Sequence, residues 1–248
     1  MPKVHDLQGN VVEEVQLPES LSAAFNEELI KKAFLAERSH GRQPYGADPL
    51  AGKRTSAHYH GYRRDRYAMM NKEMSRIPRI HGRVGPYHMR ARFAPHAVKG
   101  RQAHPPKAEK VWAQKINKKE YLAALRSSLS RSIPTMVVFV DDLENLKKTK
   151  EVKTIFDKVV ASDLQRAEKK KVRAGRGKMR GRRYNRKKGP LVIVSKECSL
   201  LKAARNLPGV DVTSATQVKI TQLAPGGHAG RRVIMTKSAI GELNKHVS

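Results

Sequence analysis

The spacing of hydrophobic residues along the chain predicts a folded domain that is interrupted twice. Val4 lies before Gly9-Asn10 and Val11, Val12 and Val15 lie after it, and this arrangement around a turn predicts a hairpin over residues 3–15. Apolar residues then recur at helical spacing after Asn26, which precedes two glutamates and is the expected N-cap of a helix. That helix should pack on a core and end near Ser39.

A second series of elements begins at residue 117. Asn117 and Glu120 have the spacing of a capping box, and Ile133-Pro134 should end the helix that follows. Four apolar runs predict strands, at residues 135–140, 191–195, 210–212 and 232–236. Further helices are expected at residues 152–159, 200–205 and 237–245. Strands that alternate with helices indicate βαβ units, so we predict an α/β fold with a Rossmann-like, mostly parallel sheet and flanking helices.

The first interruption, residues 40–107, shows neither the helical nor the strand period, so it should not build a core of its own. It contains fifteen Lys and Arg against three acidic residues, and it holds seven of the ten histidines. Irregular stretches of this length are uncommon in compact domains unless they are functional or disordered. We call residues 40–107 the arm. We expect the arm to be a long extended basic loop that interrupts one globular α/β domain, residues 1–39 and 108–248.

The second interruption, residues 166–188, has thirteen basic residues, a single glutamate and no regular period. We call it the second basic segment. The arm and this segment each carry a net charge of +12, so together they hold +24 of the chain's +29. Charge at this density repels itself, and a polyanionic partner is the natural compensation.

Tyrosine and arginine are enriched together in the arm. Five of the seven tyrosines lie there, and its basic residues are eleven Arg and four Lys. Unstacked RNA bases pack against aromatic rings and guanidinium planes. The seven arm glycines would let the backbone approach phosphates or take positive φ. A solvated, disordered charge run is the alternative, but such runs are poor in aromatics, and this one is anchored at both ends.

Motifs for other chemistry are incomplete. GADPLAGKR has one residue too many between its glycines for a phosphate-binding loop, and Arg54 stands where Ser or Thr would hold magnesium. The glycines of residues 175–181 are spaced too widely for a dinucleotide fingerprint. His58 and His60 offer only two metal ligands, with no cysteine nearby. We therefore expect neither a cofactor nor a metal.

Cysteine usage and hydropathy indicate in which cellular compartment the protein works. Cys198 is the single cysteine, so we expect no disulfide framework and a reducing compartment, with Cys198 as a core or helix-start residue. The chain has no apolar run of about 18 residues, and MPKVHDLQGN lacks the apolar stretch of a secretory signal. These features predict a soluble, intracellular protein without a membrane segment.

Six motifs occur in a specific order along the chain: YGADPLAGKRTSA, RIPRIHGR, FAPHAVKGRQAHPPK, RAGRGKMRGRRYNRKKGP, KAARNLPGVDV and LAPGGHAGR. Together they resemble the L-four family of large-subunit ribosomal proteins in its archaeal form, over essentially the whole chain. The resemblance implies a structural protein on the cytoplasmic ribosome that binds large-subunit rRNA. It also implies an internal loop that reaches toward the polypeptide exit tunnel and meets an L-twenty-two type protein there.

On this interpretation the candidate sites are rRNA contacts, with no catalytic residue and no homo-oligomer. The arm contacts would be Arg42, Lys53, Arg54, Tyr59, Tyr62, Arg63, Arg64, Arg76, Arg79, Arg83, Arg90, Arg92, Lys99, Arg101, His104 and Lys107. Those of the second basic segment would be Arg173, Arg176, Lys178, Arg180, Arg182, Arg183 and Tyr184. The tip of the arm would fall within residues 71–87.

Two other functions remain open from the residues alone. An enzyme acting on nucleic acid would need a convergent site at the strand ends, where Asp141 and Asp142 are the only candidates. A duplex-DNA architectural protein would bind DNA and RNA equally well.

Overall fold

The protein was analysed as a computed structural model that describes residues 2–82 and 85–247. Contacts between residues divide the chain into two units. The globular unit comprises the chain up to Gly41 and from Ala113 onward, and the arm unit comprises Arg42–Trp112.

Strands of the globular unit build one main sheet. The eight strands are β1 Lys3–His5, β2 Val11–Glu14, β3 Val137–Phe139, β4 Lys170–Val172, β5 Tyr184–Arg186, β6 Leu191–Val194, β7 Asp211–Ser214 and β8 Val233–Thr236. Six of them form a sheet in the order β2-β1-β3-β8-β6-β7, while β4 and β5 pair with each other. All neighbours in the main sheet are parallel except β1 and β2, which form the predicted N-terminal hairpin.

Helices cover both faces of this sheet. They are α1 Glu27–His40, α2 Lys118–Ser132, α3 Thr149–Glu168, α4 Ser199–Arg205, α5 Ile220–Leu223 and α6 Lys237–Val247. Along β3, the side chain of Val138 joins a core cluster with α1, α2, α5 and α6, whereas Val137 and Phe139 join a second cluster with α3 and α4. Because both faces are covered, the central strands are apolar except for the buried Thr236 at the end of β8. The predicted α/β class with a mostly parallel sheet is confirmed.

Of the two predicted helix N-caps, one makes the expected side-chain hydrogen bond and the other does not. The Asn26 side chain caps α1 as predicted, because its Oδ1 accepts the Leu29 N–H at 3.0 Å. Asn117 is the N-cap of α2 as predicted, but its side chain makes no capping bond, so the predicted capping box is incomplete. Glu120 also accepts from the Lys32 ammonium at 2.8 Å, a contact between α1 and α2 that the spacing of residues does not reveal.

Acidic residues after β3 hold neighbouring elements in place. The Asp141 carboxylate accepts the Ser238 N–H in the first turn of α6 at 2.9 Å. Glu144 accepts from the N–H and the hydroxyl of Ser195, both at 2.8 Å, and from the Thr236 hydroxyl at 2.6 Å. These carboxylates therefore connect the ends of β3, β6 and β8.

A buried guanidinium, that of Arg231, lies at the base of the second basic segment. The residue is 8% exposed. It donates to four main-chain carbonyls at 2.7 to 3.3 Å, those of Gly189, Pro190, Gly209 and Gln222. It therefore ties the start of β6 to the loop before β7 and to α5.

Asp211 is the counter-charge of this guanidinium. Its carboxylate lies 2.8 Å from both Arg231 and the Lys188 ammonium. Burial alone would raise the pKa of Asp211, but the hydrogen bond from Lys188 and the charge of Arg231 lower it below the usual 3.8. The stability that this shift contributes is present above pH 3.8 and is lost as the pH falls through the lower pKa of the folded state.

Replacing Arg231 tests this anchor. Arg231→Met should lower the free energy of unfolding by about 3 to 5 kcal/mol, because it leaves buried carbonyls without a donor and a carboxylate without one cation. Urea unfolding of the RNA-free chain, followed by circular dichroism, measures the change. Arg205→Met, at an exposed residue of α4, is the control and should change the free energy by less than about 0.5 kcal/mol. Equal losses in both variants would contradict the anchor.

Candidate nucleic-acid interface

The arm unit is built mainly from turns and loops. Arg79 pairs through its backbone with His58 on one side and with Ala91 on the other, so three separate segments lie side by side. A 3₁₀ turn at Gly85–Tyr87 follows the middle segment. The arm therefore has an internal arrangement of its own, although it lacks long helices and strands among its described residues.

Glycines let the outgoing and returning limbs of the arm approach closely. A Cβ at Gly52 would lie 2.5 Å from the Gly100 carbonyl oxygen, and one at Gly100 would lie 1.9 Å from that of Ala94. A Cβ at Gly46 would similarly lie 2.8 Å from the backbone nitrogen of Ala108. At these three positions the close backbone neighbour is the protein itself and not a phosphate, while Gly52 also takes the positive φ that was the other predicted role, at 73°.

Most of the candidate arm residues are exposed. The exposed basic residues that form no ion pair with a described carboxylate are Arg42, Lys53, Arg63, Arg64, Arg76, Arg90, Lys99 and Lys107. The half-buried Arg101 also lacks such an ion pair. Tyr59, Tyr62 and His104 are exposed as well, and Tyr62 is 81% exposed. Arg83 lies outside the described residues.

Three predicted contacts are engaged within the arm unit. The guanidinium of Arg79 donates to the Met89 carbonyl at 2.9 Å and to the Ser75 carbonyl at 3.1 Å. Arg92 donates to the Val98 carbonyl at 2.9 Å. Arg54 pairs with a carboxylate of the same unit, that of Asp48. These arginines hold the shape of the arm, and fewer of their N–H groups remain for a partner.

An aromatic cluster near the ends of the arm unit was not predicted from the sequence. The guanidinium carbon of Arg42 lies 3.6 Å from the ring centroid of Trp112, and the Lys110 ammonium lies 4.3 Å from it. Tyr45 stacks on the same indole with the ring centroids 5.9 Å apart. Trp112 is the one tryptophan of the chain and lies beyond the predicted end of the arm, so only its rarity could have drawn attention.

The second basic segment contains an antiparallel ribbon of two strands. Lys170, Lys171 and Val172 of β4 pair with Arg186, Asn185 and Tyr184 of β5. A 3₁₀ turn at Arg176–Arg180 and a left-handed Gly181 at φ 78° connect the strands. The sequence analysis expected no regular element here, because all residues of both strands are exposed and show no alternation of apolar and polar positions.

This ribbon presents cations without counter-charges. All seven candidate residues in it are exposed. Between Lys169 and Lys187, all within the described part of the chain, no basic side chain forms an ion pair with a carboxylate. The Tyr184 ring has the Arg183 guanidinium carbon at 5.6 Å and the Lys170 ammonium at 5.7 Å from its centroid. The ribbon is thus a strongly positive surface with an aromatic ring among the charges.

Comparison with known families agrees with this geometry. The family model described as the ribosomal protein L4/L1 family matches residues 15–246. The chain belongs to this family. It is therefore a structural constituent of the large ribosomal subunit and not an enzyme.

Archaeal members of the family match the chain along almost its whole length. The large ribosomal subunit protein uL4 of Archaeoglobus fulgidus is 42% identical and is covered over 98% of both chains. The proteins of the same name from Sulfolobus acidocaldarius and Methanosphaera stadtmanae are 41% and 38% identical. They match 98% and 97% of this chain, and the matches cover 93% and 95% of their own lengths. The archaeal resemblance of the sequence motifs is confirmed.

Membership in the family removes the enzyme alternative. Asp141 and Asp142 lie in a 3₁₀ turn after β3, where both are exposed and Asp141 caps α6. These acids therefore have a structural explanation that requires no reaction. None of the described helices is long and apolar enough to cross a membrane.

Closing the arm depends on its glycines, and this dependence is testable. Gly100→Ala should loosen the arm unit, because the new Cβ would overlap the Ala94 carbonyl oxygen. Brief trypsin treatment of the free chain should then cut within residues 42–112 several-fold faster than in the unchanged protein. Gly175→Ala, with open space around its Cβ, is the matched control. An unchanged cleavage rate in Gly100→Ala would contradict the close packing of Gly100 against Ala94.

Proposed function

We propose that this ribosomal protein binds large-subunit rRNA through two surfaces, the arm (residues 40–107) and the second basic segment (residues 166–188). The globular domain, residues 1–39 and 108–248, anchors both surfaces. As a ribosomal component the protein works in the cytoplasm, as one copy and without a cofactor.

The observation that carries this proposal is the uncompensated charge of the ribbon. Exposed cations on a two-stranded ribbon repel one another unless anions lie among them. A nucleic-acid backbone supplies such anions at regular spacing, and each neutralised phosphate releases a counterion that favours binding. A small anionic ligand would leave most of these side chains unpaired.

Base stacking is the second part of the proposal and belongs to the arm. Tyr59 and Tyr62 are 46% and 81% exposed, and Arg90 lies 5.9 Å from the Tyr87 ring centroid. Exposed rings with guanidinium planes nearby are the groups on which unstacked RNA bases pack. The arm would therefore contact bases as well as phosphates.

The tip of the arm carries the finer part of the proposal. Following the family resemblance, residues 71–87 would reach toward the polypeptide exit tunnel and meet an L-twenty-two type protein. Exposed Arg76 and Arg90 would then neutralise phosphates on the way to the tunnel.

Charge removal tests the ribbon as an rRNA contact. A quadruple change to Gln removes four unpaired cations of the turn, at Arg173, Arg176, Lys178 and Arg180. A transcript of large-subunit rRNA should bind this variant more weakly, and the slope of log K against log salt should become shallower by up to about 3. Filter binding over a series of salt concentrations measures both.

The matched control removes the same number of positive charges, but from lysines that already form ion pairs with glutamates. The lysines changed to Gln are Lys31, Lys153, Lys237 and Lys245, each paired with a glutamate of the globular unit. Their loss should leave the salt slope nearly unchanged. Equal effects of the two quadruple variants would show that only net charge matters. Equal affinity of the unchanged protein for duplex DNA and for the transcript would instead support the DNA-architectural function.

A photo-crosslinking residue in place of Arg76 tests the position of the tip. In assembled large subunits it should crosslink to rRNA, to the L-twenty-two type protein, or to a stalled nascent chain. The same residue in place of Lys153 on α3 is the control and should give none of the tunnel products. A tip that crosslinks to none of the three would contradict the tunnel assignment while leaving the ribbon contact standing.

A further inference from the structure

Three imidazoles of the arm unit converge on one point. The ring centroids of His58, His60 and His81 lie 4.3 to 4.7 Å apart. One possible ligand nitrogen from each ring lies within 4.8 Å of the other two. The sequence analysis recognised only the His58-x-His60 pair, because His81 is more than twenty residues further along the chain.

Hydrogen bonds to each ring determine which nitrogen carries the proton. His58 Nδ1 lies 2.9 Å from the Ser56 carbonyl oxygen, and His81 Nε2 lies 3.1 Å from that of His58. His60 Nδ1 lies 3.1 Å from the carboxylate of Asp65. These oxygens only accept hydrogen bonds, so in each neutral ring the bonded nitrogen is the donor. The other nitrogen of each ring then carries a free lone pair.

Two of these lone pairs are buried without a partner. His60 Nε2 and His81 Nδ1 are inaccessible to solvent and accept no hydrogen bond. Buried acceptors are normally satisfied, and a group of unsatisfied ones on adjacent rings requires an explanation.

We infer that His58, His60 and His81 form a binding site for a transition-metal ion such as Zn²⁺. Its ligands would be His58 Nε2, His60 Nε2 and His81 Nδ1, with the fourth tetrahedral position open to water. In metal sites the other ring nitrogen of a ligating histidine is held by a carboxylate or a carbonyl, and all three histidines here have such a partner.

The spacing of the ligands is compatible with zinc after small side-chain rotations. Zn–N bonds of about 2.0 to 2.1 Å place two tetrahedral ligands roughly 3.4 Å apart. The nitrogens must therefore draw together by at most about 1.4 Å from their 4.8 Å limit, and His58 is exposed at this site. The ion would link two arm segments that already pair through the backbones of His58 and Arg79. Metal binding would thus lock the fold of the arm near its tip.

Cobalt is the probe for this site, because tetrahedral Co²⁺ has intense visible ligand-field bands. The full chain without an affinity tag should bind one equivalent of Co²⁺ with such bands, and Zn²⁺ should displace it. His60→Ala and His81→Ala should abolish the bands. Asp65→Ala should weaken binding about tenfold or more, because it removes the acceptor that orients His60. His96→Ala, in the same unit and outside the cluster, should bind as the unchanged chain does.

A rescue variant separates metal ligation from a merely structural role of His81. His81→Cys should retain Co²⁺ and add a thiolate-to-cobalt charge-transfer band, because a thiolate is also a ligand for this class of ion. Zn²⁺ should also slow tryptic cleavage within residues 42–112 of the unchanged chain but not of His81→Ala. Absence of tetrahedral Co²⁺ bands in the unchanged chain, or bands of equal intensity in His81→Ala, would overturn the assignment.

Discussion

Repulsion between like charges constrains the whole chain, because +24 of its +29 net charge lies in two segments. Outside the second basic segment the globular unit is left close to neutral, and many of its lysines pair with carboxylates, as Lys153 does with Glu168 at 3.1 Å. That unit can therefore bury an apolar core on both faces of a sheet without opposing its own charge. The ribbon has no such pairs, so its electrostatic free energy is lowered only when a polyanion binds.

A charged ribbon on an otherwise nearly neutral domain must be fixed at its base, and Arg231 provides this fixation. Its guanidinium holds the carbonyls of Gly189 and Pro190, where the ribbon returns to β6. A Cβ at Gly209 would lie 2.8 Å from both the Ala167 side chain and the Lys187 carbonyl oxygen, so the end of α3 also packs tightly there. The rigid base limits the directions in which the exposed cations can point, and this lowers the entropy that binding must remove.

Elements with a buried face were predictable from the sequence, and elements without one were not. The apolar runs of β3, β6 and β8 are continuous because both faces are covered, and each was predicted within two residues of its observed ends. Strands β4 and β5 are exposed on both faces, so no periodicity marks them. Contacts between distant residues, such as Trp112 with Arg42 or His81 with His58, depend on turns that propensity does not specify. The sequence therefore predicted which types of residue form the candidate site. Their arrangement in space is shown only by the structure.

The arm divides its cations between two tasks. Arg79 and Arg92 use their guanidinium groups on carbonyls of the arm itself, and Gly52 and Gly100 bring its limbs into contact. Their exposed neighbours, such as Arg63 and Arg76, have no partner among the described residues. An arm that is partly ordered before binding loses less conformational entropy on its partner. The internal arginines thus favour binding indirectly, by holding the shape from which the unpaired arginines reach the RNA.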